Sequence, residues 1–280
     1  MTVSFNERAN RRWGLGRHVC VGLDVDLNRI PRHINGDPPV RVMKFLQAII
    51  DATATTAGAY KPNLAFFEAL GGQASFILAD AIRYIRSVAP DVPVIVDAKR
   101  ADIAHTNNGT IEHIFGFLEA DAVTVHPYLG QEALRPFLER EDKGIFVLCR
   151  TSNPGAGELQ DLQVVGGEPL FLHLAGRIAS DWNYNNNCGL VAGATYPEEL
   201  RLIRQRTGSL PILIPGVGAQ GGDLEATVRA ASQGDELRAF INASRSVIYA
   251  SADEEFAEAA SQELGSMNTE IHRVLANLTD

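Results

Sequence analysis

Eight apolar segments rich in β-branched residues recur along the chain, and segments with helical periodicity separate most of them. Most of the eight are apolar throughout, without strict alternation, which is typical of parallel strands covered on both faces. They are residues 18–25, 59–67, 92–99, 122–128, 144–151, 189–195, 210–216 and 238–244. Eight strands alternating with helices within 280 residues predict an α/β fold, a (β/α)8 TIM barrel. A doubly wound sheet is the competing architecture, and eight well-spaced strands make it the weaker alternative.

The intervening segments carry apolar stripes at three- and four-residue spacing, as amphipathic helices do. One stripe includes Val42, Phe45 and Ile49, and another begins at Phe256 and predicts a closing helix. No shift in composition or linker marks a second domain, so we expect residues 1–280 to form a single barrel domain. Residues 1–17 are polar and rich in arginine, and we expect them to form a polar N-terminal extension.

The composition narrows the classes of partner. The net charge of −9 argues against a nucleic-acid partner, because binding to phosphates of DNA or RNA needs concentrated Lys and Arg. No apolar run approaches membrane-spanning length, and the first residues lack the apolar stretch of a signal peptide. Cys20 and Cys149 lie in apolar runs, which favours small buried hydrophobic residues over reactive thiols. We therefore expect a cytoplasmic protein with no membrane partner.

Residues 96–106 concentrate charge at the carboxyl end of one predicted strand. Asp97 and Lys99 are two residues apart, so their side chains point to the same side of a regular strand. Asp102 follows where the strand is expected to end. A buried ion-pair network that fixes the register of the barrel would explain these charges. Barrels of this class place their chemistry at this end of the strands, however, and that favours a catalytic role.

Other predicted strands also end in polar residues. Lys61 carries the most weight among them because, like Asp97 and Lys99, it continues an apolar run. The remaining polar strand ends are Asp24, His126, Thr151, Ser152, Thr195 and Ser244. A single polar strand end is ordinary, since strands end at the surface, so these residues are candidates only as a group.

The loops after the seventh and eighth strands form a predicted anion site. Residues 214–223 are rich in glycine, which lets backbone N–H groups approach an anion next to a helix N-terminus. Arg245, in the following loop, can hold a phosphate with two donors. A tight turn would explain the glycines alone, but their pairing with Arg245 favours phosphate binding, as is frequent in these barrels.

Other types of site have little support. The His, Asp and Glu residues show no metal-ligand spacing, and neither a nucleophile-elbow motif nor a cysteine–histidine signature appears. We therefore expect no metal. Residues 152–169 form a long, glycine-rich connection without strong periodicity, and either a lid over the barrel mouth or a variable surface loop would explain them.

The central segment resembles the D-x-K-x-x-D-I signature of orotidine 5′-phosphate decarboxylases of the longer bacterial and archaeal type. It runs from Asp97 through Lys99 and Asp102 to Ile103, with Thr106 following. Further segments that resemble this family occur in the expected order at residues 21–24, 60–68, 123–130, 151–155, 215–223 and 244–246. The resemblance covers about residues 20–250, and the combination of motifs is highly specific. The departures are Ala101, where glycine is common, and His105, which is usually a small residue; neither removes a catalytic group.

The resemblance implies an enzyme that decarboxylates orotidine 5′-monophosphate to uridine 5′-monophosphate, the last step of de novo pyrimidine synthesis, without a cofactor. Lys99 would protonate C6 of the pyrimidine, within an array of alternating charges that includes Asp97, Asp102 and Lys61. The implied substrate contacts are Asp24, Lys61 and Thr106 at the ribose, Ser152, Ile103 and Pro215 at the base, and Gln220 and Arg245 at the 5′-phosphate. In this family Asp102, Ile103 and Thr106 reach the partner subunit's site, which implies a homodimer with shared active sites.

Two alternatives remain. The magnesium-dependent 3-keto-gulonate and hexulose phosphate enzymes share D-x-K-x-x-D, but they lack the context of Lys61-Pro62 and of Ile103 with Thr106. A non-catalytic phosphate-binding barrel is the alternative from another class, and it would require an intact charged array without chemistry.

Overall fold

A computed structural model describes residues 3–217 and 222–278. Within them, eight parallel strands form one sheet, and they are β1 Val19–Gly22, β2 Ala59–Lys61, β3 Ile95–Arg100, β4 Ala122–Val125, β5 Gly144–Arg150, β6 Cys188–Ala192, β7 Ile212–Pro215 and β8 Ala239–Ala243. Their order in the sheet is β2-β1-β8-β7-β6-β5-β4-β3. Two isolated bridges, Tyr60 to Val94 and Asn63 to Asp97, join β2 to β3. The sheet is thereby closed into a barrel, and the predicted (β/α)8 class is confirmed.

Helices surround the barrel and bury their apolar stripes against it. They are α1 Phe5–Gly14, α2 Pro38–Thr53, α3 Leu64–Glu68, α4 Ala74–Val88, α5 Asn107–Ile111, α6 Gly130–Leu138, α7 Gly157–Gln160, α8 Leu170–Arg177, α9 Pro197–Thr207, α10 Leu224–Ala231, α11 Arg245–Ile248 and α12 Phe256–Ala276. Short 3-10 turns lie at Gly71–Gln73, Ala104–Thr106 and Pro154–Ala156, and π-helical turns follow α5 and α8 at Glu112–Phe117 and Ile178–Trp182. The predicted closing helix corresponds to α12.

Helix α1 plugs the amino-terminal end of the barrel. The rings of Phe5 and Phe146 meet edge to face with their centroids 5.5 Å apart, and Trp13 packs against Phe240 at 4.9 Å. Ser4 and Glu7 form a capping box at the start of this helix, which satisfies two N–H groups there. The expected polar extension at residues 1–17 thus contains a core element. Sequence reasoning missed it because the apolar stripe of Phe5, Ala9 and Trp13 is narrow and stands among polar and charged residues.

The inside of the barrel changes from apolar to polar along the strands. Its amino-terminal half is a cluster that includes Ala59, Ile95, Ala122 and Phe240. Because side chains alternate along a strand, the next inward position lies two residues further on. On these four strands that position holds a polar residue: Lys61, Asp97, Thr124 and Asn242. The strand period therefore directs polar side chains toward the carboxyl-terminal mouth.

Cys20, Cys149 and Cys188 are free and buried, as expected for the two in apolar runs. No helix within the described ranges is long and apolar enough to cross a membrane.

Candidate active site

A cavity of about 600 Å³ opens at the carboxyl-terminal end of the barrel. Seven of the predicted site residues line it, namely Asp24, Lys61, Asp97, Lys99, Ser152, Pro215 and Arg245. Asp102, Ile103 and Thr106 do not line it, and they are exposed at the surface of the chain. Gln220 lies outside the described residues. The strand ends therefore bring most of the predicted site together.

Asp97 lies between two ammonium groups at the floor of this cavity. Its Oδ2 is 3.1 Å from Nζ of Lys61, and its Oδ1 is 2.6 Å from Nζ of Lys99. Nζ of Lys61 is also 3.9 Å from Oδ1 of Asp24. The side chain of Lys61 is only 4 % exposed, whereas that of Lys99 is 48 % exposed. The array is thus anchored in the barrel wall and presents the Lys99 ammonium to the cavity.

Burial and the neighbouring charges shift the pKa values of this array in opposite directions, and the effect of the charges is the larger. Burial would lower the pKa of Lys61, but the carboxylates of Asp97 and Asp24 outweigh it and raise that pKa above its ordinary value. Burial would raise the pKa of Asp97, yet the two lysines and the hydroxyl of Thr124 hold it well below its usual range. Both groups therefore stay charged around neutral pH, as expected for a closely paired buried cation and anion.

A regular strand would place the side chains of Asp97 and Lys99 on the same side, but the strand here is irregular. The register of β3 against β4 shifts between Val96 and Arg100. Lys99 has a φ of 49°, a left-handed conformation that is uncommon for residues other than glycine. The two side chains meet across a local distortion of the backbone.

Thr124 and Asn242 line the cavity but were not among the predicted site residues. Both lie two positions after an inward-facing apolar residue, so the strand period was the signal that could have identified them. Oδ1 of Asn242 and Oδ1 of Asp24 are buried and accept no hydrogen bond from residues 3–217 and 222–278. Because both residues line the cavity, these two acceptors lie beside the space that a ligand would occupy.

The segment that carries Ser152 is held in place by Arg150. The Arg150 guanidinium contacts both carboxylate oxygens of Asp161, each at 3.1 Å, and lies 4.1 Å from the centre of the Tyr196 ring. Gln160, which also lines the cavity, accepts a 2.9 Å hydrogen bond from the Thr151 N–H. The first half of the predicted lid, residues 152–161, is therefore anchored to the barrel. Closure of residues 152–169 over a ligand stays a prediction.

Close approach of the segments that follow β5 and β6 also fixes the position of Ser152. A Cβ on Gly193 would lie 2.9 Å from both the N and the Cα of Ser152. Only a residue without a side chain fits at that point without displacing the Ser152 backbone.

The described part of the predicted anion site also borders the cavity. Gly216, Val217 and Arg245 line one side of it, and Gly216 has a φ of 103°, which favours glycine. The Gly222 N–H donates to the Gly216 carbonyl at 3.1 Å, so this loop begins and ends at the same place. Arg245 can hold an anion with two N–H donors at this edge of the cavity; binding of an anion here stays a prediction.

The backbone of Asp102 is anchored by a neighbouring asparagine. The fully buried Asn107 accepts a 2.8 Å hydrogen bond from the Asp102 N–H and donates to the carbonyls of Asp102 and Ala133, both at 2.7 Å. Ile103 is 57 % exposed beside this anchor. A contribution of Asp102, Ile103 and Thr106 to a second subunit stays a prediction.

The described residues contain no group of three or more His, Cys, Asp and Glu side chains placed to hold a metal ion. The chemistry that they do support is electrostatic. A fixed cation beside a cavity with an anion-binding edge can stabilise negative charge that develops on a bound phosphate ester.

Comparisons with known proteins agree with this arrangement. Residues 17–260 match the orotidine 5′-phosphate decarboxylase / HUMPS family. An orotidine 5′-phosphate decarboxylase of Herpetosiphon aurantiacus is 50 % identical over 242 residues, covering 86 % of this chain and 88 % of that protein. One from Janthinobacterium sp. is 44 % identical over 275 residues, covering 98 % of this chain and 100 % of that protein. The structure of Leishmania donovani OMP decarboxylase superposes with a TM-score of 0.81 at 36 % identity, covering 95 % of this chain and 99 % of that chain.

Proposed function

Because this chain belongs to the orotidine 5′-phosphate decarboxylase / HUMPS family, we propose that it is a cytoplasmic enzyme that decarboxylates orotidine 5′-monophosphate to uridine 5′-monophosphate, the last step of de novo pyrimidine synthesis. The observation that carries the proposal is the position of Asp97 between Lys61 and Lys99 at the floor of the cavity. The names of the relatives from Herpetosiphon aurantiacus and Janthinobacterium sp. support the choice of substrate.

The proposed chemistry follows from the charge of Lys99. When the bond between C6 and the carboxylate breaks, carbon dioxide leaves and the electron pair stays on C6. That charge cannot spread into the π system of the ring, so a fixed cation beside C6 stabilises the transition state more than the ground state. Lys99 then gives a proton from Nζ to C6, forming uridine 5′-monophosphate, and recovers a proton from water. Asp97 keeps Lys99 paired before the substrate arrives.

The lining of the cavity supports a division of substrate contacts. Asp24 and Lys61 are proposed to meet the ribose hydroxyls, and the buried acceptor of Asn242 lies on the neighbouring strand β8. Ser152 and Pro215 are proposed to contact the base. Arg245 is proposed to hold the 5′-phosphate together with Gln220, which lies outside the described residues. Binding of the phosphate away from C6 can supply energy for ordering the site.

We further propose a homodimer with shared active sites. Asp102, Ile103 and Thr106 are assigned to the site of the partner subunit by the resemblance of their motif to the family. Their exposure on a loop anchored by Asn107 supports this assignment, because a rigid loop can insert into a partner at little entropic cost.

The proposal requires no metal or organic cofactor, which distinguishes it from the magnesium-dependent sugar phosphate enzymes that share D-x-K-x-x-D. The test is the loss of orotidine 5′-monophosphate absorbance, followed with purified protein in the presence of EDTA. Full turnover with the chelator supports the proposal. Absence of decarboxylation, or activity that returns only with Mg²⁺, contradicts it. Uridine 5′-monophosphate binding without turnover would instead favour a non-catalytic phosphate-binding barrel.

A further inference from the structure

The hydroxyl group of Thr124 contacts two residues of β3, Asp97 and Lys99. Thr124 is 1 % exposed and lies on β4, directly beside β3 in the sheet. Its Oγ1 donates a 2.7 Å hydrogen bond to Oδ1 of Asp97 and accepts a 3.0 Å hydrogen bond from the backbone N–H of Lys99. A single side chain therefore contacts both the carboxylate that pairs with Lys99 and the backbone that carries Lys99.

The contact lies where the backbone of β3 is irregular. The β3–β4 register shifts between Val96 and Arg100, and the φ of Lys99 is 49°. A residue other than glycine in this conformation is strained, and the conformation persists only where its surroundings hold it. The Thr124 hydroxyl offers an acceptor to the Lys99 N–H at the point where the ladder is interrupted.

The same oxygen of Asp97 receives both partners. Oδ1 accepts the hydrogen bond from Thr124 and also lies 2.6 Å from Nζ of Lys99. Oδ2 faces Lys61 at 3.1 Å. Because both oxygens have partners, the orientation of the Asp97 carboxylate is fixed. The position of the Lys99 ammonium against that carboxylate is then fixed as well.

We propose that Thr124 is a positioning residue for decarboxylation, which acts by holding the Asp97 carboxylate and the Lys99 backbone in register with each other. The inference rests on the proposed function, because it concerns the placement of the ammonium that would protonate C6. Thr124 itself supplies no charge and no proton to the substrate. Its hydroxyl is needed, whereas its methyl group contributes only packing.

Two variants separate the role of the hydroxyl from that of the methyl group. Thr124→Val keeps the shape and removes the hydroxyl, and Thr124→Ser keeps the hydroxyl and removes the methyl group. Loss of a hydrogen bond to a charged group predicts that Thr124→Val lowers kcat about ten- to hundredfold, while Thr124→Ser stays within about threefold of wild type. The dissociation constant of uridine 5′-monophosphate is expected to change less than about threefold in both variants, since the effect concerns placement of the ammonium.

A third variant of Thr124 and a control variant at another buried threonine complete the test. Thr124→Ala differs from Thr124→Ser only in the hydroxyl, so this pair gives the same comparison if Thr124→Val does not fold. Thr207→Val is the matched control, because the buried Thr207 hydroxyl donates to the Ile203 carbonyl within α9, outside the cavity lining. Its kcat is expected to equal that of wild type.

The outcomes distinguish the inference from the proposed function. An active wild type with Thr124→Val equally active, or with Thr124→Ser slower than Thr124→Val, overturns the role of the hydroxyl and leaves the decarboxylase assignment intact. A folded wild type that does not decarboxylate orotidine 5′-monophosphate overturns the proposed function and this inference with it.

Discussion

Nζ of Lys61 lies 3.1 Å from Oδ2 of Asp97, and both side chains are almost wholly buried, 4 % and 11 % exposed. Asp97 has a lowered pKa, so its contribution to stability is present above the ordinary carboxyl pKa and is lost as the pH falls through the lowered value. Lys61 has a raised pKa, so its contribution is present below the ordinary lysine pKa and is lost as the pH rises through the raised value. The pair is therefore stabilising over the whole neutral range.

Removal of Lys61 is expected to destabilise the fold as well as the site. In Lys61→Ala, Asp97 and Asp24 remain as neighbouring carboxylates without the buried cation between them. Breaking one side of a buried pair typically costs about 3–5 kcal/mol. Denaturant unfolding at neutral pH measures this cost, with Lys44→Ala as the control because Lys44 is exposed. Equal unfolding free energies for Lys61→Ala and Lys44→Ala would show that the ion pair between Lys61 and Asp97 makes no net contribution to the stability of the fold.

His18 predicts a loss of stability in mild acid. Burial lowers the pKa of His18 from 6.5 to about 4, so between those values the unfolded chain binds a proton that the folded chain does not. Stability must then fall as the pH drops from 6.5 to about 4, by on the order of 3 kcal/mol. His18→Gln is expected to remove this part of the pH dependence. Unfolding curves recorded across that range check it, and the exposed His105→Gln should keep the wild-type slope.

Because α1 fills the amino-terminal end of the barrel, a substitution in its buried face is expected to lower stability without changing catalysis. Phe5→Ala removes a buried ring that packs against Phe146 and Phe240, which is expected to cost about 3–5 kcal/mol. Because Phe5 lies at the opposite end of the barrel from the cavity, kcat/KM at a temperature where the variant is folded should match wild type. Phe76→Ala, at a ring that is 63 % exposed, provides the comparison. A large drop in kcat/KM for folded Phe5→Ala would mean that the two ends are coupled.

Substitution of Gly193 is expected to lower activity, although this residue has no side chain of its own. A Cβ in Gly193→Ala would lie 2.7 Å from Cβ of Ser152 and 2.9 Å from its backbone, so the Ser152 segment must move. Misplacement of a substrate-contacting group by about 1 Å can cost on the order of a hundredfold in rate. Steady-state kinetics of Gly193→Ala should show reduced kcat/KM. Gly265→Ala within α12 meets nothing within 4 Å, so unchanged kinetics are expected there; wild-type kinetics in both variants would dismiss the clash.

Much of the barrel was predictable because its signals are local. Apolar runs predict parallel strands, and the polar residues that continue those runs point to Lys61, Asp97 and Lys99. Helix α1 was not predictable in the same way. Its apolar face is narrow, and its burial depends on the open end of a barrel built from distant strands.

The details of the site depended on tertiary structure. Strand periodicity placed Asp97 and Lys99 on the same side of β3, and their side chains meet at 2.6 Å. The left-handed φ of Lys99 could not be predicted, because the segment has no glycine at that position. Thr124 was overlooked because a threonine within an apolar strand is common. Only the pairing of β4 with the irregular end of β3 gives its hydroxyl two partners, the Asp97 carboxylate and the Lys99 N–H. The ion pair between Arg150 and Asp161 likewise forms only because the loop after β5 folds back on that strand.

Lys99→Ala tests the central claim most directly. The side chain is half-exposed and its removal leaves Lys61 paired with Asp97, so the variant should fold and retain measurable affinity for uridine 5′-monophosphate. Loss of both the proton donor and the fixed cation predicts that decarboxylation of orotidine 5′-monophosphate, followed by absorbance with EDTA present, falls by at least about a thousandfold. Turnover by folded Lys99→Ala within about tenfold of wild type would contradict the assignment of Lys99 as the group that protonates C6.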